Sequence, residues 1–134
     1  MPYLLAPGGN AMAIAEQQYA GAGMIRFTPF TSCIGVMGYN GGNVTGVHLV
    51  MFAADDTPFN NAAANATVAA IGAYARVCVI GQTQMWADNL PGPYNYLLGL
   101  LNNPIIIDMN DGTYGGRVVN GICQVYLNGN YVPL

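Results

Sequence analysis

Cys33 and His48 are the residues from which chemistry is most readily built. The chain holds a single histidine, so any cysteine–imidazole pair must use His48. The working nucleophile of a cysteine is its thiolate; the free thiol titrates near ~8.5, and an adjacent imidazolium lowers that value. An amide substrate also needs backbone N–H groups to hold the oxyanion and a proton donor for the departing amine. In Thr31-Ser32-Cys33-Ile34-Gly35, small and hydroxyl side chains leave the N–H groups of Ser32 and Cys33 as oxyanion candidates. His48 would take the thiol proton and pass it to leaving ammonia. The same residues have a structural reading. Free cysteine is among the most buried residue types, and a lone histidine in an apolar run is commonly a satisfied core residue. Spacing alone leaves both open. Cys78 and Cys123 sit in β-branched runs with no histidine to serve them and read as core thiols. No metal is expected, because one histidine and three dispersed cysteines match no ligand spacing.

To meet, Cys33 and His48 need a hairpin. Two apolar runs flank Tyr39-Asn40-Gly41-Gly42-Asn43, and Asn-Gly and Gly-Gly accept positive φ without strain, so the chain is expected to fold back there. Cys33 and His48 then stand at similar distances from the turn. On a period of two, His48 shares a face with Val44, Gly46, Val50 and Phe52, and Gly46 is expected to leave that face open beside the imidazole.

The remaining elements read as support. Asn10 can cap a short, peripheral helix over residues 11–20, stopped by Gly21. Residues 24–30 alternate as a strand ended by Pro29, and residues 44–53 form a buried strand. Thr57-Pro58 starts an alanine-rich helix running to about residue 74 or 75. Residues 76–82 form a buried strand; residues 82–89, with Gln82, Gln84 and Trp86, form a loop that borders the cleft or merely tethers the chain. A second helix spans about residues 94–101, and residues 105–108 form a strand. A glycine-rich turn over residues 110–116 leads into a hairpin closed by Asn120-Gly121. The order implies one α/β domain over residues 1–134, a sandwich of mixed β-sheet with two main helices and a peripheral segment 1–23.

Composition narrows the partners. The chain has no lysine and three arginines among 134 residues, too few and too scattered for a nucleic-acid footprint or a polybasic membrane contact. No apolar run reaches the ~18–20 residues of a membrane helix. The first residues lack the basic and apolar regions of a signal peptide, which makes the cytoplasm the default; a signal-peptide-independent secretion route leaves no such mark. Three cysteines without CxxC spacing favour reduced thiols.

The order of motifs resembles the CheD family of chemoreceptor glutamine deamidases, whose fold is shared with the catalytic domains of cytotoxic necrotizing factor toxins. Thr31-Ser32-Cys33-Ile34-Gly35-Val36 resembles the family's Gly-Ser-Cys segment, and Gly41-Gly42 followed by Val47-His48-Leu49-Val50-Met51 its Gly-Gly and Ala-His-Phe-Met-Leu segment. The alanine-rich helix and Val77-Cys78-Val79-Ile80-Gly81 fall where the family has a helix and then a strand ending in glycine. Asp111-Gly112-Thr113-Tyr114-Gly115-Gly116-Arg117-Val118-Val119 is similar to its Gly-Gly-x-Tyr-Gly-Arg-x-Val signature. The resemblance implies a protein-glutamine deamidase with Cys33 as nucleophile and His48 as general base and acid. It needs no cofactor and acts on a glutamine presented by a chemoreceptor or by a host or rival protein, with room for a regulatory or immunity partner. The family's third member is a threonine six residues before the cysteine; here Phe27 stands there, with Thr28 one place off. The implied orienting group is thus Thr28 or, as in the toxin relatives, a backbone carbonyl. Tyr114 and Arg117 are implied to line the approach to Cys33, or else to form only a turn with a solvated arginine. Two departures stand out: Thr31 replaces the glycine before the serine, and an extra glycine precedes Arg117.

Overall fold

Short β-branched runs pair into two sheets, and the hairpin at Gly41-Gly42 organises the larger one. The computed structural model describes residues 2–134, Met1 lying outside them. In chain order the elements are β1 (Ala6–Pro7), β2 (Gln18–Ala22), β3 (Met24–Arg26), β4 (Ile34–Asn40), β5 (Asn43–Leu49), α1 (Asn61–Ile71), β6 (Arg76–Gly81), α2 (Thr83–Asn89), α3 (Pro91–Leu100), β7 (Ile105–Asp108), β8 (Tyr114–Val119), β9 (Ile122–Leu127) and β10 (Asn130–Pro133). The six-stranded sheet runs β1-β2-β5-β4-β6-β7 and the four-stranded sheet β10-β9-β8-β3. The larger is mixed, with parallel pairs β1–β2 and β6–β7 at its two edges. The α/β class and the mixed-sheet sandwich expected from the sequence are present. Among the described residues, no helix is long and apolar enough to cross a membrane.

The central hairpin forms as its turn residues dictate. Gly41 takes φ +60°, which a two-residue primed turn requires, and Asn40 pairs with Asn43. Register then runs to Gly35↔His48 and Ile34↔Leu49. One face of this sheet packs under α1, against which α3 lies. Ile71 and Tyr74 lie so close over Gly38 that no side chain fits there. The other face meets the small sheet, where the Tyr39 hydroxyl donates to the Gln124 carbonyl at 2.8 Å. The apolar core thus fills both interlayer spaces.

Several expected elements differ. Residues 11–20 are no helix: the segment makes turns and then β2, which pairs with β5, and Asn10 accepts from the Met12 N–H instead of capping a helix. Nor is it peripheral. Ile14 is fully buried and bridges Phe27. Ladder pairing and burial of Ile14 outweigh the helix propensity of alanine and glutamine, which amounts to about a few tenths of a kcal/mol per residue. α1 begins later than Thr57, because Asn60 caps it by accepting from Ala63 N–H at 2.9 Å while Pro58 bridges Phe52, and it ends at Gly72. Residues 83–89 form α2 and not a loop. Its first turn is capped from a distant strand, with Asp108 Oδ1 accepting from Thr83 Oγ1 and from Gln84 N–H, both at 3.0 Å. α3 starts at Pro91, before the expected Tyr94. β3 and β5 end at Arg26 and Leu49, short of the expected strand ends at residues 30 and 53. β10 is an additional strand, folded back on β9 through Asn128 and Gly129, both at positive φ.

Candidate functional site

His48 stands near the end of β5, on the face the strand turns toward the small sheet and directly across from Gly35. Cys33 immediately precedes β4, two residues before Gly35, so the hairpin brings thiol and imidazole to one side of the sheet. Glycine at 35 and 46 makes room for aromatic rings there. A Cβ on Gly46 would meet Ile25 Cδ1 at 2.5 Å and Phe27 Cζ at 2.8 Å. The space beside the imidazole is therefore filled, contrary to the expected opening over Gly46. Phe27 and Phe30 instead hold the His48 ring, with centroids at 5.6 and 4.8 Å.

The orientation of His48 follows from one hydrogen bond. Its Nδ1 lies 2.8 Å from the Ile14 carbonyl. A carbonyl only accepts, so Nδ1 carries the proton and Nε2 presents a lone pair. That Nε2 is buried and has no hydrogen-bond partner among the described residues. Thr28 Oγ1 lies 3.4 Å from Nδ1 and donates to the same Ile14 carbonyl, also at 3.4 Å. Of the two orienting groups considered, the backbone carbonyl makes the short contact and Thr28 a long one.

Cys33 is held by its backbone. The Ser32 carbonyl accepts from Trp86 Nε1 at 3.0 Å, and the Cys33 carbonyl accepts from Gln82 N–H at 3.2 Å. Ser32 itself sits at φ +58°. Its N–H, expected to face an oxyanion, donates to Asp111 Oδ1 at 2.8 Å and is already engaged. The Cys33 N–H is the donor of the two with no acceptor among the described residues. Cys33 Sγ lies 3.3 Å from the Thr31 carbonyl and 3.7 Å from Glu16 Oε2.

A Glu16 oxygen, Cys33 Sγ and a His48 ring nitrogen all lie within 4.8 Å of one another. Cys33 and His48 are both 0 % exposed, while Glu16 is exposed and covers them. Outside this cover is a cleft of about 430 Å³ lined by Glu16, Thr31, Ser32, Val50, Met51 and Phe52 among others. Burial sets the electrostatics. It lowers the His48 pKa, against the Ile14 hydrogen bond and the Glu16 charge, which both act upward. Burial also pushes the Cys33 thiol up to about 12; the Thr31 backbone contact opposes the rise, and the Glu16 carboxylate adds to it. The expected imidazolium-lowered thiolate is thus not the resting form. Neutral thiol and neutral imidazole are.

Other expected positions fall elsewhere. Tyr114 is fully buried, its hydroxyl donating to the Asn110 carbonyl and its ring 5.3 Å from that of Phe30. It backs the ring that backs His48 and lines no approach. Arg117 points to the outer face of the small sheet, where Nε donates to Gln124 Oε1 at 2.6 Å and the guanidinium lies 3.6 Å from the Tyr131 ring centroid. Trp86, placed by sequence in a loop, is a core residue. Cys78 is fully buried as expected, while Cys123 is only half-buried. Sequence reasoning missed Glu16, the Ile14 carbonyl and Asp111. The one available signal was that Glu16 is the only glutamate in the chain and its only acid before Asp55.

Compared with known proteins, the chain matches no family model, no curated protein and no solved structure.

Proposed function

We propose that the protein is a cysteine amidohydrolase of the Cys–His type, with the side-chain carboxamide of a protein glutamine as its substrate. The observation that carries this reading is the buried lone pair of His48 Nε2, without a partner among the described residues and with its tautomer set by the Ile14 carbonyl, on a ring that has a nitrogen within 4.8 Å of Cys33 Sγ. A base with no acceptor role in the fold is costly to bury unless it has other work. The choice of glutamine rests on the motif order shared with the deamidases.

The chemistry runs in two halves. Glu16 swings off the thiol, a movement open to an exposed side chain. Sγ then attacks the carboxamide carbon as its proton passes to Nε2, and the C–N bond breaks as Nε2 returns that proton to the departing ammonia. Water next attacks the thioester, giving its proton to Nε2; the C–S bond breaks, the carboxylic acid leaves and Cys33 regains a proton. Carboxamide and water are consumed, carboxylic acid and ammonia released. The Cys33 N–H is the remaining donor for the oxyanion. Thr28 helps to hold the Ile14 carbonyl.

A second reading has its own observation. Complete burial of both groups suits a non-catalytic protein-binding module with Cys33 as a core thiol. Labelling with 2-chloroacetamide, itself a small carboxamide, separates the two: the enzyme labels at Cys33 ahead of Cys78, and His48→Ala loses that preference. The direct test incubates chemoreceptor signalling domains and a panel of host proteins with wild type and with Cys33→Ser. Expected are ammonia release and an amide-to-acid mass change, with wild type alone. Neither product from any target, together with equally slow labelling of Cys33 and Cys78, refutes the reading.

A further inference from the structure

We infer that Glu16, Cys33 and His48 form a site for a borderline-soft divalent cation, Zn²⁺ by preference. The three come from three separate segments: the turn before β2, the residue preceding β4 and the penultimate residue of β5. Their donor atoms lie within 4.8 Å of one another. Tetrahedral zinc with bonds of ~2.0–2.3 Å separates its ligands by roughly 3.5 Å, so the set must close by about 1 Å. Glu16 Oε2 already lies 3.7 Å from Sγ, close to ligand spacing, and its side chain is exposed and free to adjust.

A second observation points independently to a ligand. His48 Nε2 is fully buried, unprotonated and without a partner among the described residues, while Nδ1–H is held by a backbone carbonyl. Metal-bound histidines are oriented in this way, the far nitrogen donating to a carbonyl or carboxylate to fix the ring. Donor type selects the metal. One sulfur, one imidazole nitrogen and one carboxylate oxygen favour zinc over magnesium or calcium, which prefer all-oxygen shells. Charge agrees. A Cys33 thiolate beside the Glu16 carboxylate is a like-charge pair in a buried place, and a dication neutralises both. On binding, the Cys33 S–H bond breaks, its proton leaves to solvent and a metal–sulfur bond forms. Three protein ligands leave a fourth position for water.

Occupation also regulates the site, a consequence that rests on the amidohydrolase reading above. The metal engages both the thiolate and Nε2, so the zinc-loaded protein is silent and a chelator restores it.

Co²⁺ is the probe, because a cobalt–thiolate bond adds a near-ultraviolet charge-transfer band read without any activity. Titration of the full chain is expected to give that band at one equivalent, and Zn²⁺ to abolish it. Cys33→Ser removes it and Cys78→Ala retains it. Glu16→Gln, a change at an exposed position that leaves the fold intact, weakens Co²⁺ binding at least about tenfold. No band with wild type, or a band that survives Cys33→Ser, overturns the metal site. Ammonia release by the EDTA-treated protein is read separately. A metal site without ammonia release therefore leaves the site standing and removes the hydrolase, and the reverse result does the opposite.

Discussion

Gly81→Ala is the sharpest test of how the nucleophile is held. Gly81 ends β6 at φ +123°, where an L side chain is strained, and a Cβ there would lie 2.4 Å from the Cys33 carbonyl oxygen and 3.1 Å from Ile34 Cα. Both are backbone atoms of the strand that carries the site, so neither can rotate away. The dihedral costs about 1–3 kcal/mol and the forced backbone shift about 1–3 kcal/mol more. For a domain of this size the sum lowers Tm by about 10–20 °C. Gly72→Ala is the control. Gly72 also has positive φ, at +70°, but nothing lies within 4 Å of its would-be Cβ. It bears the dihedral cost alone, about 1–3 kcal/mol, or roughly 3–10 °C. Circular-dichroism melts measure both. Chloroacetamide labelling of folded Gly81→Ala is expected to rise at Cys33 and not at Cys78, because moving the Cys33 carbonyl breaks its bond from Gln82 N–H. Melting of Gly81→Ala within 2–3 °C (an error scale of roughly 0.5 kcal/mol) of Gly72→Ala refutes the tight packing of β6 on the Cys33 backbone.

Three further outcomes follow from the same contacts. Glu16→Ala uncovers the thiol and removes a neighbouring negative charge, so Cys33 labelling at neutral pH rises on the order of tenfold, about 1.4 kcal/mol in barrier, with Tm nearly unchanged; mass spectrometry of labelled peptides checks it. Trp86→Phe leaves the Ser32 carbonyl without its donor and costs about 1–3 kcal/mol in a denaturant titration. Stability is expected to hold up to about pH 9 and to fall above it. Burial raises Cys78 from 9.0 to about 12, so above the lower value the unfolded chain loses a proton that the folded chain keeps. Cys78→Val removes about 1.4 kcal/mol of the loss between pH 8 and pH 10, seen as a smaller shift in denaturation midpoint.

Legibility tracked the range of the interactions involved. Gly41 and Asn120-Gly121 made their hairpin turns at positive φ, a preference carried by residue type and needing no distant partner. The β-branched run of β6 and the Ile-Ile-Ile of β7 were readable for the same reason. Residues 11–20 misled, because Ile14 is buried by Phe27 and β2 is formed by β5, neither of which adjoins them in sequence. α2 was hidden likewise: its cap is Asp108, from the end of β7. Tyr114 and Arg117 were three residues apart in a motif, yet strand alternation sends Tyr114 into the core and Arg117 to the outer face.

From its residues alone, this chain determined that a single imidazole must serve whichever thiol is used and that a glycine turn returns His48 to the neighbourhood of Cys33. Tertiary structure alone decided the rest. It laid Glu16 over the sulfur from 17 residues upstream, spent the Ser32 N–H on Asp111, and chose the Ile14 carbonyl to orient the ring. It also buried the pair deeply enough to keep both groups neutral. Turn and strand preferences act over a few residues and are written in residue type. Desolvation and hydrogen-bond partnership depend on which distant segments close over a group, and no local pattern encodes that.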